Sequence, residues 1–305
     1  MNRACRSWLL LTLLATAGSA FGQSTPQVQQ LAESLYTLLE GAFDNEPQHY
    51  LAAALGSPDL GTQTRRHLTI ARQDTAEDTA TWFDVVNYPA GSRESAGESV
   101  RWRFAAAEDL AGLRMWRYRR TGDGWQVDNR YERCRFLWRK LADGALGEWE
   151  NGRCRDKETW SESRWIVDSG GLAIRERQFA ANGELKAGRS DGLAERLSRT
   201  TRFECFVAME REGQPPYVQN PVLMHDGGDV WTFDPADREP AGYALTLRKA
   251  MWPSRSGRNF LPLLFLDLSD TASGKSIGAG WAEPSSDRIG FNFSGGSARC
   301  KQAQK

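Results

Sequence analysis

Tryptophan and arginine are interleaved in the first half of the chain, and together they could bind a flat, acidic small molecule. An indole offers a large planar surface and a guanidinium a planar cation. The same pattern arises when tryptophan fills a core and arginine stacks on exposed rings, so the residues alone leave both interpretations open. The residues concerned are Trp82, Trp102, Trp116, Trp125, Trp138, Trp149, Trp160 and Trp165, with Arg101, Arg103, Arg117, Arg119 and Arg164.

Cysteine is the second residue type that could carry chemistry. The sequence contains five cysteines, and four remain once a predicted N-terminal signal peptide that contains Cys5 is removed. An even number of cysteines in an exported chain indicates disulfides. Three pairings are possible, and we favour Cys134 with Cys154 and Cys205 with Cys300, because the close pair flanks a predicted hairpin. The alternatives are a reactive thiol and a metal site.

Other chemical motifs are absent from the sequence. No cysteine has a CxxC partner, and His49, His67 and His225 lack ligand spacing, so we predict no metal site. The chain also lacks a GxSxG elbow, an HExxH helix and a dinucleotide glycine pattern. Partners distant in sequence leave no local trace, and enzymatic activity therefore stays open.

The N-terminus has the layout of a secretory signal peptide. Arg3 and Arg6 precede the apolar run Trp8–Ala17, and small residues follow, with cleavage expected near Gly22 and Gln23. This apolar run is about half of the roughly 20 residues that a membrane span needs. We therefore expect a periplasmic or secreted protein without a membrane span. The formal net charge is zero, which argues against nucleic acid as a partner.

The remaining sequence predicts an all-β fold after one helix. Apolar residues at three- and four-residue steps predict a helix over Gln27–Phe43. Beyond it, short alternating strands such as Ser99–Phe104 and Trp125–Arg130 are joined by turn dipeptides of the Asn–Gly and Asp–Gly type. Such strands form an antiparallel barrel or sandwich. We predict a signal peptide at 1–22, a barrel domain at 23–210 and a β-rich extension at 211–305.

Two segments resemble the CpcT/CpeT family of chromophore lyases, which attach bilins to antenna proteins. Residues 35–48, LYTLLEGAFDNEPQ, resemble the family's opening helix and its G-x-F-x-N-x-x-Q stretch. Residues 134–138, CRFLW, followed by Gly147 and Cys154, resemble the family's spaced cysteines around a strand and a glycine. The resemblance covers roughly Leu31 to Val207. It implies a calyx-like, lipocalin-like β-barrel that binds a linear tetrapyrrole.

The resemblance also implies a set of ligand-binding residues. Arg101 and Arg103 match arginines of the family and would pair with the propionates of a bilin. Asp84 matches an acidic residue and would stabilise the protonated pyrrole nitrogens. No cofactor is required, the candidate ligand is a bilin or other tetrapyrrole, and a separate acceptor protein could supply the thiol.

Three functions follow, in order of preference. The first is an exported carrier, related to bilin lyases, for a tetrapyrrole or another flat hydrophobic acid. The second is a non-enzymatic envelope or interaction protein with a filled barrel. Strand alternation favours the second if Trp102 points inward, because Arg101 and Arg103 must then point outward. The third is a true lyase acting on an exported acceptor.

Overall fold

The computed structural model describes residues 25–54, 65–73, 80–89, 97–122, 124–236, 241–254 and 259–304. The predicted signal peptide lies outside these ranges. In this part of the chain, no helix combines the length and the apolar character that are needed to cross a bilayer.

The chain consists mainly of β-strands. The described helices are α1 (Pro26–Leu39), α2 (Glu46–Ala54) and α3 (Asn129–Arg133). The strands of the first sheet are β1 (Gly41–Asp44), β2 (Arg66–Gln73), β3 (Thr81–Pro89), β4 (Glu98–Ala107), β5 (Gly112–Thr121), β6 (Gly124–Val127), β7 (Phe136–Lys140), β8 (Gly144–Trp149), β9 (Cys154–Arg155), β10 (Thr159–Asp168), β11 (Gly171–Ala180), β12 (Leu185–Ala187) and β13 (Glu195–Arg199). The later strands are β14 (Arg202–Arg211), β15 (Gln214–Val218), β16 (Val222–His225), β17 (Gly227–Phe233), β18 (Tyr243–Pro253), β19 (Phe260–Asp270), β20 (Ser276–Ala282), β21 (Arg288–Phe293) and β22 (Gly296–Gln302).

Ten strands of the first sheet close into an antiparallel barrel. Around the ring the order is β10, β11, β13, β1, β2, β3, β4, β5, β7 and β8, and β8 pairs with β10 to close it. Side chains alternate between the interior and the outer wall. On β4, Val100, Trp102 and Phe104 belong to the barrel core, while Arg101 and Arg103 are partly exposed. The predicted fold class, a helix followed by an antiparallel barrel and a β-rich C-terminal part, is confirmed.

Helix α1 packs against one end of the barrel interior. Its apolar side chains recur at helical spacing, and Leu35 and Leu39 are completely buried. The ring of Tyr36 contacts Phe83 and Phe104, with centroid distances of 5.5 and 5.8 Å. The helix therefore contributes to the same hydrophobic core as the strands.

Two element boundaries differ from those predicted. Helix α1 ends at Leu39 rather than at Phe43, because Gly41 adopts a φ of 139° and begins β1. A Cβ atom at Gly41 would lie 2.6 Å from the Arg199 guanidinium. The strand predicted over Trp125–Arg130 ends at Val127. Asp128 then caps α3 by accepting a hydrogen bond from the backbone N–H of Arg130.

Two further sheets follow the barrel. One contains β14, β15, β16, β21 and β22, and the other contains β17 to β20. They share one core, to which Cys205 and Val207 contribute from the first sheet and Leu245 and Leu266 from the second. Two sheets packed over one core form a β-sandwich. The change of sheet comes between β13 and β14, and the domain division at 210 and 211 stays a prediction.

The disulfides join Cys134 to Cys154 and Cys205 to Cys300, which is the pairing that the sequence favoured. The first bridge spans the β7–β8 hairpin. The second links the neighbouring strands β14 and β22, where the two cysteines are directly opposite each other. One bridge therefore belongs to the barrel and the other to the sandwich.

Candidate functional site

Asp84, Arg101 and Arg103, the residues predicted to bind a ligand, lie together on the outer wall of the barrel. Asp84 is opposite Arg101 in the β3–β4 pair, and Arg101 Nε donates to Asp84 Oδ1 at 2.7 Å. Their side chains are 35% and 38% exposed, respectively. Because Trp102 points into the barrel, its two arginine neighbours point away from the interior. Their role in ligand binding stays a prediction.

Arginine and tryptophan side chains stack around these residues. The Arg101 guanidinium lies 4.5 Å from the ring centre of Trp125. Arg103 lies 5.0 Å from Trp116 and 5.9 Å from Trp82. Exposed contacts of this kind contribute about 0.5–1 kcal/mol each. We define the outer-wall patch as Trp82, Asp84, Arg101, Arg103, Trp116 and Trp125.

Polar side chains gather at the barrel end away from α1, which we call the mouth. Phe83 and Phe104, which contact α1, lie towards one end of β3 and β4, whereas Asn87 and Glu98 lie at the other end. Residues of the same strands therefore change from apolar to polar along the barrel axis.

Aromatic rings fill the barrel below the mouth. Trp102 and Trp165 are 5.2 Å apart at their centroids, and Phe136 lies 5.1 Å from Trp149 and 5.6 Å from Trp165. Trp138 is completely buried. Four of the eight tryptophans named in the sequence, Trp102, Trp138, Trp149 and Trp165, thus have the core role that the sequence had left as one of two interpretations.

A cavity of about 50 Å³ remains in the mouth. Its polar lining consists of Arg66, Asn87, Glu98, Arg117 and Glu176, beside the rings of Trp102 and Trp165. A volume of this size holds water molecules or one carboxylate. Pockets for whole drug-sized ligands are larger, about 300–1,000 Å³. The cavity can therefore admit an end group but not a tetrapyrrole ring system.

The mouth contains buried donors whose hydrogen-bonding capacity is unused. Among the described residues, Trp102 Nε1 and Arg117 Nε have no hydrogen-bond partner. Trp165 differs, because its Nε1 donates to Glu176 Oε1 at 3.1 Å. A buried N–H without an acceptor costs about 1–3 kcal/mol. A ligand that brings an acceptor to Trp102 would recover part of this free energy.

The charges of the two mouth arginines are neutralised to different degrees. Arg66 Nη1 lies 2.7 Å from Glu195 Oε2 in a close ion pair. Arg117 Nη2 is 3.7 Å from Glu98 Oε1, and the Glu98 side chain is 59% exposed. Water screens such an exposed partner strongly. Arg117 is therefore the cation best able to accept a second, anionic partner.

An open groove of about 310 Å³ adjoins the mouth along β5, β6 and α3. We call it the rim groove; its lining is Arg119, Thr121, Gln126, Val127, Asp128, Asn129 and Arg130. Arg119 and Arg130 both lie near Asp128 Oδ2, at 3.2 and 3.3 Å. Burial by itself would raise the pKa of Asp128, but hydrogen bonds and charge from Arg130, with the charge of Arg119, outweigh it and lower the pKa. Two cations share one carboxylate, so the groove favours anions.

A second cluster of ionisable side chains lies between the barrel and the sandwich. His67 Nδ1 is 3.0 Å from Asp44 Oδ2, and the His67 and His225 rings stack with centroids 4.0 Å apart. The sequence does not predict this cluster, because its residues come from β1, β2 and β16 and have no local spacing. Only the packing of the sandwich against the barrel brings His225 to His67.

The mouth and rim can bind an anion through hydrogen-bond donors and positive charge. Thiolate chemistry has no support from the described cysteines, since Cys134, Cys154, Cys205 and Cys300 are all disulfide-bonded.

Comparison with known proteins gives similarity to solved structures alone. No family model matches the chain, and no curated protein matches it. Among solved structures, the chain is similar to the T-type phycobiliprotein lyase CpeT from Prochlorococcus phage P-HM1, with 9% sequence identity and a TM-score of 0.29. The match covers 55% of this chain and 96% of that one. With a sequence identity and a TM-score this low, no residue role can be carried over from that protein to this chain.

Proposed function

We propose that this chain is an exported, chromophore-lyase-like binding protein that holds a flat acidic ligand of the tetrapyrrole class at the mouth of its barrel. The observation that carries the proposal is the buried Trp102 N–H, which lacks an acceptor among the described residues and borders a cavity lined by Arg66 and Arg117. A carboxylate entering this cavity would accept the indole hydrogen bond and pair with Arg117. Charge-assisted contacts of this kind are the strong ones in proteins.

The dimensions of the site determine how such a ligand would lie. The cavity of about 50 Å³ admits a carboxylate, while the open groove of about 310 Å³ beside it offers space at the rim. In this proposal one propionate enters the cavity and the ring system stays outside. A second propionate would then reach Arg119 or Arg130 in the rim groove.

Export and transfer of the ligand belong to the same proposal. Two disulfides support an oxidising compartment such as the periplasm or the extracellular space. If the ligand is passed to an acceptor protein, that partner supplies the thiol. The barrel would contribute by holding the ligand in a fixed orientation, without a cofactor.

The test is a ligand titration of the purified, oxidised protein with biliverdin, phycocyanobilin and haem, followed by visible absorbance and tryptophan quenching. We expect saturable binding. Arg117→Gln removes a charged hydrogen-bond donor and should weaken binding about 10- to 100-fold. Trp102→Phe keeps an aromatic ring but removes the N–H, and should weaken it about tenfold.

Variants on the outer wall provide matched controls. Arg101→Gln and Arg103→Gln make the same chemical change on a neighbouring strand, and we expect unchanged affinity. Loss of affinity in these two variants, with none in Arg117→Gln, would move the site to the outer-wall patch and contradict the mouth proposal. Absence of binding by the folded protein would contradict the carrier function itself.

A second candidate function is a non-enzymatic envelope or interaction protein. The filled interior favours it, since Trp138 is completely buried and the remaining cavity is only about 50 Å³. In this case the barrel acts as a rigid scaffold and recognition takes place on its surface. Failure of all three pigments to bind, in a protein whose circular dichroism shows folded β-structure, would favour this function.

A further inference from the structure

Three metal-ligating side chains meet between the barrel and the sandwich. Asp44 on β1, His67 on β2 and His225 on β16 each offer one ligand atom, and these atoms all lie within 4.8 Å of one another. Their side chains are 0%, 1% and 2% exposed, respectively. We propose that they form a site for a zinc-type divalent transition-metal ion. This site is separate from the mouth and does not rest on the proposed ligand binding.

The donor set selects the class of metal. Two imidazoles and one carboxylate suit Zn²⁺ and the neighbouring transition metals, whereas Ca²⁺ and Mg²⁺ prefer oxygen ligands. Zinc bonds of about 2.0–2.2 Å place tetrahedral ligand atoms about 3.4 Å apart. His67 Nδ1 and Asp44 Oδ2 are 3.0 Å apart, so an ion between them would need only a small separation of the two side chains.

His225 has a polar neighbour on each side of its ring, a hydrogen bond at Nδ1 and a carboxylate near Nε2. Its Nδ1 accepts from the Gly227 backbone N–H at 3.1 Å, so this nitrogen carries a lone pair when the ring is neutral. Its Nε2 is 3.7 Å from Asp229 Oδ2. Ligation through Nδ1 would replace the bond from Gly227, while Nε2–H would be directed at Asp229. Carboxylates commonly orient metal-bound histidines in this way.

The backbone of Gly227 lies directly beside two of the three ligands. A Cβ atom at this position would lie 2.6 Å from Asp44 Cβ and 2.9 Å from His225 Nδ1. Any larger residue must therefore displace Asp44 or His225. Gly227 acts as a positioning residue, because its lack of a side chain allows the two ligands to approach each other.

Arg65 is the charge that opposes binding of a dication. Its Nη2 is 3.5 Å from Asp44 Oδ2. However, Arg65 Nε also lies 3.2 Å from Glu46 Oε2, and Nη2 donates to the carbonyl oxygens of Gly227 and Gly228. Its charge is thus shared among several acceptors. We expect weaker binding than at structural zinc sites with thiolate ligands.

The test uses Co²⁺ as a visible probe and the purified, oxidised protein after treatment with a chelator. We expect one Co²⁺ per chain, with visible d–d absorption that Zn²⁺ abolishes by displacement, and a metal-dependent rise in Tm. His67→Ala and His225→Ala should each weaken binding by more than the 10- to 100-fold that loss of an outer-shell partner costs. His49→Ala is the matched control, because the chain contains three histidines and His49 lies outside the cluster.

Folding of the variants is checked by circular dichroism, and His67→Gln and His225→Gln replace the alanine variants if these do not fold. The proposal is overturned if Co²⁺ at concentrations up to about 1 mM changes neither the absorption nor the Tm of the folded protein. A dissociation constant of about 1 mM corresponds to a binding free energy near −4 kcal/mol. The proposal is also overturned if binding survives both cluster substitutions or is lost in His49→Ala.

Discussion

The mouth and the outer-wall patch contain the same two residue types, yet they differ in how their polar groups are satisfied. On the outer wall, Arg101 bonds to Asp84 and stacks on Trp125. At the mouth, Trp102 Nε1 and Arg117 Nε are buried without partners among the described residues. Tryptophan and arginine content therefore does not by itself identify a binding site. Buried donors without partners also occur elsewhere among the described residues, for example at Arg114 Nε on the outer face of β5, but at the mouth they border a cavity.

The largest expected effect is the loss of stability when an interior tryptophan is removed, and it tests whether these residues are structural. Trp138→Ala should destabilise the protein by about 3–5 kcal/mol, because the completely buried ring leaves a cavity. Trp116→Ala on the outer wall should cost only about 1–2 kcal/mol, since it loses mainly the stacking of Arg103 and Arg114. Urea unfolding of both variants measures the difference. Equal costs would mean that the interior is no better packed than the outer wall.

An intermediate effect concerns the charge of Asp128 in the rim groove. Its pKa is lowered in the folded protein, so ionised Asp128 stabilises the fold above its unfolded-state pKa. This contribution is lost as the pH falls through the folded-state value. Asp128→Asn retains a capping side chain but removes the charge, and should cost about 1 kcal/mol at neutral pH.

The measurement is the Tm of both proteins as a function of pH. We expect the difference to be complete at pH 7 and to shrink once the pH falls below the unfolded-state pKa, about 3.9. A difference that persists unchanged at pH 2 would show that the carboxylate charge is not its origin.

Much of the barrel follows from the sequence, because its signals are local. Strand alternation requires Trp102 and its arginine neighbours to face opposite sides, and the hairpin between Cys134 and Cys154 indicates their pairing. The boundary at Asp128 was missed, since a single side-chain cap competes with the strand pattern. The family resemblance suggested that Arg101 and Arg103 line a ligand pocket. That role stays a prediction, and the arginines that line the cavity beside Trp102 are Arg66 and Arg117.

The remaining site residues could not be predicted, because they depend on pairing between distant strands. Arg117 reaches the cavity because β5 pairs with β4 and places it opposite Trp102. Glu176 lies on β11, which is on the opposite side of the barrel from β4, and it also lines the cavity. His67 and His225 meet only where the sandwich packs on the barrel. None of these contacts leaves a spacing that can be recognised along the chain.

The smallest expected effect lies in the outer-wall ion pair. In a double-mutant cycle, Asp84→Asn and Arg101→Gln should show a coupling of about 0.2–1 kcal/mol, because both side chains are more than one-third exposed, at 35% and 38%. The coupling should fall further in 1 M salt, where the screening length is about 3 Å. The Arg66–Glu195 pair at the mouth, with side chains 31% and 15% exposed, provides the comparison and should show the larger and less salt-sensitive coupling. A stronger coupling in the outer-wall pair would mean that the outer wall, and not the mouth, has the more rigid arrangement of charges. That result would favour the predicted role of Asp84 and Arg101 in ligand binding.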